Sequence, residues 1–458
     1  VGECTDLCGE LRYPLLAQMA APFTELRPDW LPVAEALERI QAHGTPLPPA
    51  TCTPSEALGR ILGESVDAAA TLPPFDNSAM DGYAVRAEDI RGASANRPVR
   101  LRVIAAAPAG APTERSVEPG TAIRIMTGAP VPTGADSVVR VEHTDREAGE
   151  GVVEIRLDGD AGRNIRPAGR DFREGDRLLE AGSRMTPSAV GLATAGGART
   201  LQVQPAPKVT VVPTGDELVG PEDYDRVRQG RGIPDTNGPM IAAAVRSAGG
   251  TPLRLTPARD DLDALARSLE EGLGSDVLIT IGGASMGTGD LVKRALERHG
   301  FELEFWRVLM RPGSPFGFGL IPREGNRPLP VLSLPGNPAS AFVTFELFGR
   351  PLIRALAGEP EPFRPSVTAL AAERFGADPK LTLFPRVALE SDETGGLHAL
   401  SNGSQSSGLV RGLSNAHGLA VIPPMEGPLP AGTPIQVMLL ADGAPGSSRP
   451  RYLDSPDE

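Results

Sequence analysis

The stretch that decides the fold is Asp276–Lys293, which reads DVLITIGGASMGTGDLVK. Val277 to Ile281 form a continuous apolar run, as a strand buried on both faces requires. The run breaks into Gly282, Gly283, Ala284, Ser285, Met286, Gly287, Thr288 and Gly289. A helical pattern follows, with Leu291, Val292, Ala295 and Leu296 on one side. Strand, glycine loop and helix together form a place for an anion. Glycines let the backbone approach a ligand, and a new helix aims free N–H groups at it. The common motifs are absent: a phosphate loop would need Lys and then Ser or Thr where Thr288 and Gly289 stand, and the spacing G-x-G-x-x-G is missing. A tight turn between a buried strand and a helix is the plain alternative.

The surrounding sequence repeats the pattern. From Lys208, strands alternate with helices. Val209 to Val212 runs into Pro213-Thr214-Gly215-Asp216-Glu217, and Asp235, Thr236 and Asn237 announce a helix from Gly238 to Ala248. Pro252 to Leu255 leads to Asp260 and Asp261, which open a helix carrying Leu262, Leu265 and Leu269. Beyond the glycine loop, strands are expected at Glu302 to Met310, Phe316 to Ile321 and Leu329 to Ser333. The last meets LPGNPAS and a helix to about Leu356. This alternation defines a doubly wound α/β domain. Pro362 to Leu440 shows short alternating runs between Gly, Pro and Asn turns, the pattern of a small β-barrel or sandwich. The tail from Ala441 reads as disordered.

Earlier in the chain, Val1 to Pro28 shows no period, and the part ahead of Met19 reads as an extension. A helix is expected from about Leu31 to Ala42, and a short helical stretch near Ser55 to Leu62. Val99 to Glu154 is rich in strand and turn signals, a small β-rich domain. A helix from about Pro187 to Ala195 ends at Gly196 and Gly197.

A length of 458 residues suggests roughly three domains. The 45 basic and 58 acidic residues leave a net charge of −13. That balance argues against nucleic acid as a partner. Cys4, Cys8 and Cys52 are too few for a disulfide framework, and no thiol or histidine cluster completes a metal site with the first two. No run is long and apolar enough for a membrane span, and no secretory signal pattern opens the chain, so a cytoplasmic location is expected.

Ligands of doubly wound sheets bind beyond the carboxyl ends of the strands. The loops on that edge carry Thr214, Asp216 and Glu217; Asp260 and Asp261; Gly282 to Asp290; Arg311 to Ser314; and Pro335 to Ser340. Asp235 can reach the same rim, and Lys293 and Arg311 supply cations. Carboxylates beside an anion cradle make sense if a hard cation such as Mg²⁺ lies between them. The alternative is that each acid only satisfies a helix dipole. Elsewhere, Asp81 either closes a turn or faces a cleft as a carboxylate for a metal or proton. Thr127 is a strand-end cap or an oxyanion contact. Arg163, Arg166, Arg170 and Arg173, interrupted by Asp171, form a solvated loop or a phosphate clamp.

FDNSAMDGYAVR (Phe75–Arg86), AIRIMTGAPVP (Ala122–Pro132), TGDEL (Thr214–Leu218), GGASMGTGD (Gly282–Asp290) and LPGNPAS (Leu334–Ser340) resemble the molybdopterin molybdenumtransferase family, whose animal relative is gephyrin. The resemblance implies a multidomain α/β plus β protein: a doubly wound molybdopterin-binding domain at residues 207–359, a β-rich insert at 73–165, a split elongated domain from 29–72 and 166–206, and a C-terminal β-barrel at 360–442. It also implies a homodimer whose cleft uses both chains, with other proteins of molybdenum cofactor biosynthesis as candidate partners. The implied reaction inserts molybdate into adenylylated molybdopterin and releases AMP with Mg²⁺ assisting. Asp81, Thr127, Asp171, Glu217, Asp235, Asp260, Asp290 and Lys293 match positions tied to substrate or activity, with Glu217, Asp235 and Asp260 as metal candidates. Thr214, Gly215, Gly282, Gly283, Ser285, Gly287, Arg311, Ser314, Pro335, Gly336, Asn337 and Pro338 are the expected substrate contacts. One departure bears on molybdate affinity: the family's usual K-P-G-K-P turn is Arg311-Pro312-Gly313-Ser314-Pro315 here, which loses one charge. Gln405-Ser406-Ser407-Gly408 likewise only approximates the family's Q-G-S-G. The competing readings are an adenylyltransferase on the same α/β module and a non-catalytic dimeric scaffold.

Overall fold

Every residue of the strand Val277–Ile281 is buried, and the strand lies inside a six-stranded sheet. The structure is a computed structural model that describes residues 30–146, 151–283, 291–392 and 395–440. The chain divides into two units, residues 48–205 and a second unit made of 1–47 with 206–458.

In the second unit, Thr251–Arg254, Lys208–Pro213, Val277–Ile281 and Leu329–Leu334 run parallel, and Gly317–Ile321 and Glu302–Trp306 extend the sheet in antiparallel pairing. Alternate side chains of a strand point to opposite faces. Val209, Val211, Val277, Ile279 and Ile281 therefore enter one core, with the helices Asn237–Ser247 and Arg350–Leu356. Val212 and Leu278 enter another, with Leu262–Gly272 and Leu291–Glu297. Helices on both faces make this a doubly wound domain. The helix Val33–Gln41, expected with the split domain, packs Ala36 and Ile40 into the first of these cores.

Three elements differ from expectation. The strand expected from Glu302 to Met310 stops at Trp306. Arg307 follows with φ 77°, and Met310–Arg311 pairs instead with Thr382–Leu383. The final helix is α-helical over Pro338–Thr344 and Arg350–Leu356 but forms a π-segment over Phe345–Gly349, where the Arg350 N–H reaches Phe345. Pro351 has no N–H for the Leu347 carbonyl, so the ladder cannot stay regular there. The helical stretch expected near Ser55 to Leu62 is a series of turns, with Gly59 at φ 77° and Ile61 and Leu62 in isolated β-bridges.

The C-terminal strands Ser366–Ala371, Leu397–Ser401, Arg386–Ser391, Gly418–Val421 and Pro434–Leu439 close into a barrel around Val387, Ala399, Ala420 and Val437. Closure removes the sheet edges that a sandwich would leave.

In the first unit, Ser137–Arg140, Gly82–Val85, Thr121–Ile125, Val99–Ala107 and Val152–Ile155 form a five-stranded sheet in that order. Beside it, Ala50–Cys52 pairs with Leu201–Val203, and Val66–Asp67 with Arg177–Leu179. Ala57, Leu62, Val66, Met185, Ala189 and Val203 share one core, so two segments far apart in sequence build one body. Among the described residues no helix is long and apolar enough to cross a membrane.

Gly82 tests the sheet of the first unit. A Cβ there would lie 1.9 Å from the Val139 carbonyl oxygen of the neighbouring strand. Gly82→Ala is expected to cost about 1–3 kcal/mol, because a backbone atom cannot step aside as a side chain can. Thermal unfolding should show a lower melting temperature, and an unchanged one would mean that the strands separate without penalty.

Candidate active site

Thr214 ends one strand and Gly282 the next. The Thr214 N–H bonds the Ile281 carbonyl at 2.9 Å, and the Gly282 N–H bonds that of Leu334 at 3.1 Å. Gly282 has φ 94°, and a Cβ there would meet the Thr214 carbonyl at 2.8 Å, so only glycine fits. A Cβ on Gly336 would lie 3.7 Å from the Gly282 Cα. Asn237, at the start of its helix, donates its side-chain amide to the Gly336 carbonyl at 2.7 Å. Four loops distant in sequence thus meet at the carboxyl edge of the sheet. Gly283 follows Gly282 with φ 59°. Ser285, Gly287 and Asp290 lie outside the described residues.

The carboxylates of this edge have individual tasks. Asp261 caps its helix by accepting the N–H groups of Asp263 and Ala264. Asp216 accepts the Asp260 N–H at 3.3 Å, which joins two loops, and both residues are exposed. Glu217 is exposed and lies back on its own turn, where a Cβ on Gly215 would come within 2.7 Å of its carboxylate. Asp235 is buried. Its Oδ1 accepts the Gly238 N–H at 2.8 Å, its Oδ2 has no hydrogen-bond partner, and Arg254 stands 3.7 Å from that oxygen. Among the described residues no three acidic, cysteine or histidine side chains gather into a metal cage. Lys293, in the helix after the glycine loop, is 3.6 Å from Glu297.

A cavity of about 750 Å³ opens beside this edge. Its walls include Arg307, Arg311, Ser314, Asn337, Gln405 and Ser407. The RPGSP and LPGNP turns therefore face the barrel loop across one space. Pro335 and Gly336 line it too, and Pro338 is the first residue of the helix that leaves it. The Ala339 N–H bonds the Ser407 carbonyl at 3.0 Å, which fixes the barrel loop on that helix. Ser314 is buried and its Oγ has no hydrogen-bond partner. Arg311 is paired with Asp378 at 3.6 Å. Arg307 holds an unusual backbone for a non-glycine, with its guanidinium 4.7 Å from the Trp30 ring and 4.6 Å from that of Trp306.

Sequence reasoning missed Arg386, which it read as part of a barrel strand. The residue is fully buried and donates from Nη2 to the carbonyls of Ser404 and Ser406, which flank Gln405. Its Nε and Nη1 have no hydrogen-bond partners, and burial pushes its pKa down. An unpaired buried guanidinium is costly unless an anion answers it. The available signal was a lone charge inside the alternating run LTLFPRVAL.

The first unit carries its own polar features. Asp81 Oδ1 accepts the Thr127 N–H at 2.7 Å and the Thr127 hydroxyl at 2.9 Å. The side chain of Asp81 therefore ties two loops together rather than closing its own turn. Asp171 lines a separate cavity of about 400 Å³ with Asn77, Arg166 and Arg170. Arg163 and Arg173 are exposed and do not line it.

Fold and site together define a multidomain α/β protein with glycine turns gathered at the carboxyl edge of its sheet, a β-rich insert and a closed C-terminal barrel. Residues 31–197 match the "MoeA N-terminal region (domain I and II)", 210–355 the "Probable molybdopterin binding domain", and 368–440 the "MoeA C-terminal region (domain IV)". The chain is 40% identical over 395 residues to molybdopterin molybdenumtransferase 2 of Mycobacterium tuberculosis, covering 85% of this chain and 94% of the relative. It is 34% identical to the molybdopterin molybdenumtransferase of Bacillus subtilis, covering 90% and 94%. The crystal structure of the molybdopterin biosynthesis moeA protein of Pyrococcus horikoshii superposes with a TM-score of 0.71 at 30% identity, covering 90% of this chain and 99% of that one. The chain belongs to the molybdopterin molybdenumtransferase family.

The Asp81–Thr127 pair gives a titration test. The Thr127 N–H first, and its hydroxyl second, hold the Asp81 carboxyl below its ordinary value. A lowered folded pKa means that this contribution to stability is present above the ordinary carboxyl range and is lost as pH falls through the lowered value. Thr127→Val removes only the hydroxyl bond. NMR titration should find the Asp81 pKa raised but still below about 3.9. An unchanged value would show that the hydroxyl contributes nothing.

Proposed function

We propose that this chain, a molybdopterin molybdenumtransferase of molybdenum cofactor biosynthesis, takes adenylylated molybdopterin, inserts molybdate at its dithiolene and releases AMP, working as a homodimer with Mg²⁺. The observation that carries this reading is the cavity where the LPGNP and RPGSP turns meet the barrel loop, beside the glycine corner and the buried Arg386.

The glycine corner suits a phosphate. Gly282 and Gly336 leave the backbone open to close approach, and the helix from Pro338 begins beside them. The cavity suits the oxyanion. Arg311, Ser314 and the barrel loop offer donors, and the unpaired N–H groups of Arg386 stand behind that loop. Ser314 in place of lysine leaves the turn with a neutral donor, which lowers its pull on an anion.

The donor set also fits Mg²⁺. This ion takes one or two carboxylates and fills its other positions with water and phosphate oxygens, so it needs no three-acid cage. Asp235, with a buried and unsatisfied Oδ2, and the exposed Glu217 and Asp260 are the candidate holders. A bound Mg²⁺ would supply charge neutralisation at the phosphoanhydride. The protein's own share is positioning: Asn237 fixes the Gly336 carbonyl, and Asp216 fixes the Asp260 loop. In the other unit, Asp81 and Thr127 form the second polar element of the proposed site, contributed to a partner chain's cleft.

Purified protein given adenylylated molybdopterin, molybdate and Mg²⁺ should release AMP; release no faster than without protein would overturn the assignment. Asp260→Ala should lower Mg²⁺-dependent release at least about tenfold with little change in melting temperature. A collapsed melting temperature with normal activity per folded molecule would make the residue structural. Arg386→Met should raise the KM for molybdate by about tenfold or more, whereas an unchanged KM would remove Arg386 from the oxyanion site.

A further inference from the structure

A second cavity adjoins the first. It holds about 300 Å³, is lined by Phe375, Phe384, Glu373 and Arg374, and shares Arg311, Pro312 and Gln405 with its neighbour. Sequence reasoning gave Phe375, Phe384, Glu373 and Arg374 no role in the site. The walls of the cavity are firmly set. Phe375 is 4% exposed and Phe384 3%. The Phe384 N–H bonds the Arg311 carbonyl at 2.8 Å, and Phe375 exchanges backbone bonds with Leu429 at 3.1 and 2.9 Å. On the rim, Glu373 accepts the Ser401 N–H at 2.8 Å through Oε1. That bond orients the carboxylate while leaving Oε2 open for another donor.

We propose that this cavity is the pterin subsite and that Glu373 reads the aminopyrimidine edge of the ring, an inference that rests on the function proposed above. A pterin is a flat bicycle whose pyrimidine edge presents a ring N–H and an exocyclic amino group side by side. One carboxylate accepts from both, with the geometry and strength of a paired, charge-assisted contact. Aromatic walls and a guanidinium at the rim suit the flat faces and the ring carbonyl. A volume near 300 Å³ sits at the small end of ligand sites and suits a bicycle better than a whole nucleotide.

The order of the cavities matches the order of groups in the substrate. Adenylylated molybdopterin is linear: pterin, dithiolene, phosphate, adenylate. The Phe375–Phe384 cavity shares Arg311, Pro312 and Gln405 with the larger cavity, which Gly336 and Asn337 of the glycine corner also line. With the pterin against Glu373, the dithiolene falls at the oxyanion cavity and the phosphate at the glycine corner. Arg311 then stands between ring and oxyanion, where its pairing with Asp378 limits its reach.

The test uses the full chain and a fluorescent probe, pterin-6-carboxylate. The wild type should quench the probe saturably, and the probe should compete with adenylylated molybdopterin. Glu373→Gln keeps an acceptor for the Ser401 N–H but loses the charge and one acceptor. It should weaken probe binding about tenfold and raise the KM for adenylylated molybdopterin similarly, with kcat and the KM for molybdate unchanged. Arg374→Ala, on the same rim, should weaken the probe and raise the KM for adenylylated molybdopterin together. Equal probe affinity in wild type and Glu373→Gln overturns the subsite, as does a parallel rise in the KM for molybdate. A wild type that releases AMP yet neither binds the probe nor is inhibited by it also overturns it. Probe binding lost in Glu373→Gln, in a wild type that releases no AMP, keeps the pterin subsite and removes the proposed reaction instead.

Discussion

Three backbone turns meet at the carboxyl edge of the sheet, and at Gly282 the approach is so close that a side chain is excluded. Gly282 stands against the Thr214 carbonyl, and Gly336 stands against Gly282. The contact requires the strands Lys208–Pro213, Val277–Ile281 and Leu329–Leu334 to end level with one another, which their parallel registers ensure. It also brings the helix from Pro338 up to the corner, and with it the barrel loop that bonds Ala339. A side chain at Gly282 would push its turn away from Thr214, and the proposed phosphate seat, oxyanion cavity and pterin cavity would lose their alignment.

The carboxylates are arranged differently from those of a preformed metal centre. Asp261 is committed to its helix, Asp216 to a loop, and half of Asp235 to the Gly238 N–H. What remains is the Asp235 Oδ2, which faces Arg254, and the exposed carboxylates of Glu217 and Asp260. Under the proposed function such a rim would hold a hard cation only together with the oxygens of a bound phosphate, so substrate and metal would complete the site jointly. The proposed oxyanion side follows the same logic. Arg311 is engaged by Asp378, Ser314 is neutral, and the strongest unsatisfied donors belong to the buried Arg386.

The legible part of the sequence was the part governed by local periodicity. The apolar run at Val277 to Ile281, the helix Pro187–Ala195 with its glycine stop, and the caps at Asp235 and Asp261 could be read from neighbours in the chain. The illegible part depends on contacts between distant residues. Trp306 ends its strand because Arg307 turns and Met310–Arg311 joins Thr382–Leu383, a pairing that no local window contains. Ser55 to Leu62 shows apolar spacing but is held as turns by bridges to Arg184 and Val203. Ala36 and Ile40 announce a helix without announcing which core receives them. Arg386 and Glu373 look like ordinary charges of a barrel, and only the closed barrel sets Arg386 under the Ser404–Ser406 loop and Glu373 on a cavity shared with Arg311 and Pro312.

The most direct measurement is a crystal structure of the full chain with AMP and Mg²⁺. The phosphate should lie in the corner between Gly282 and Gly336, within hydrogen-bonding reach of their backbone, with Asp235, Glu217 or Asp260 holding the metal. A phosphate bound elsewhere, with that corner left to solvent, would contradict the claim that these glycine turns exist to seat it.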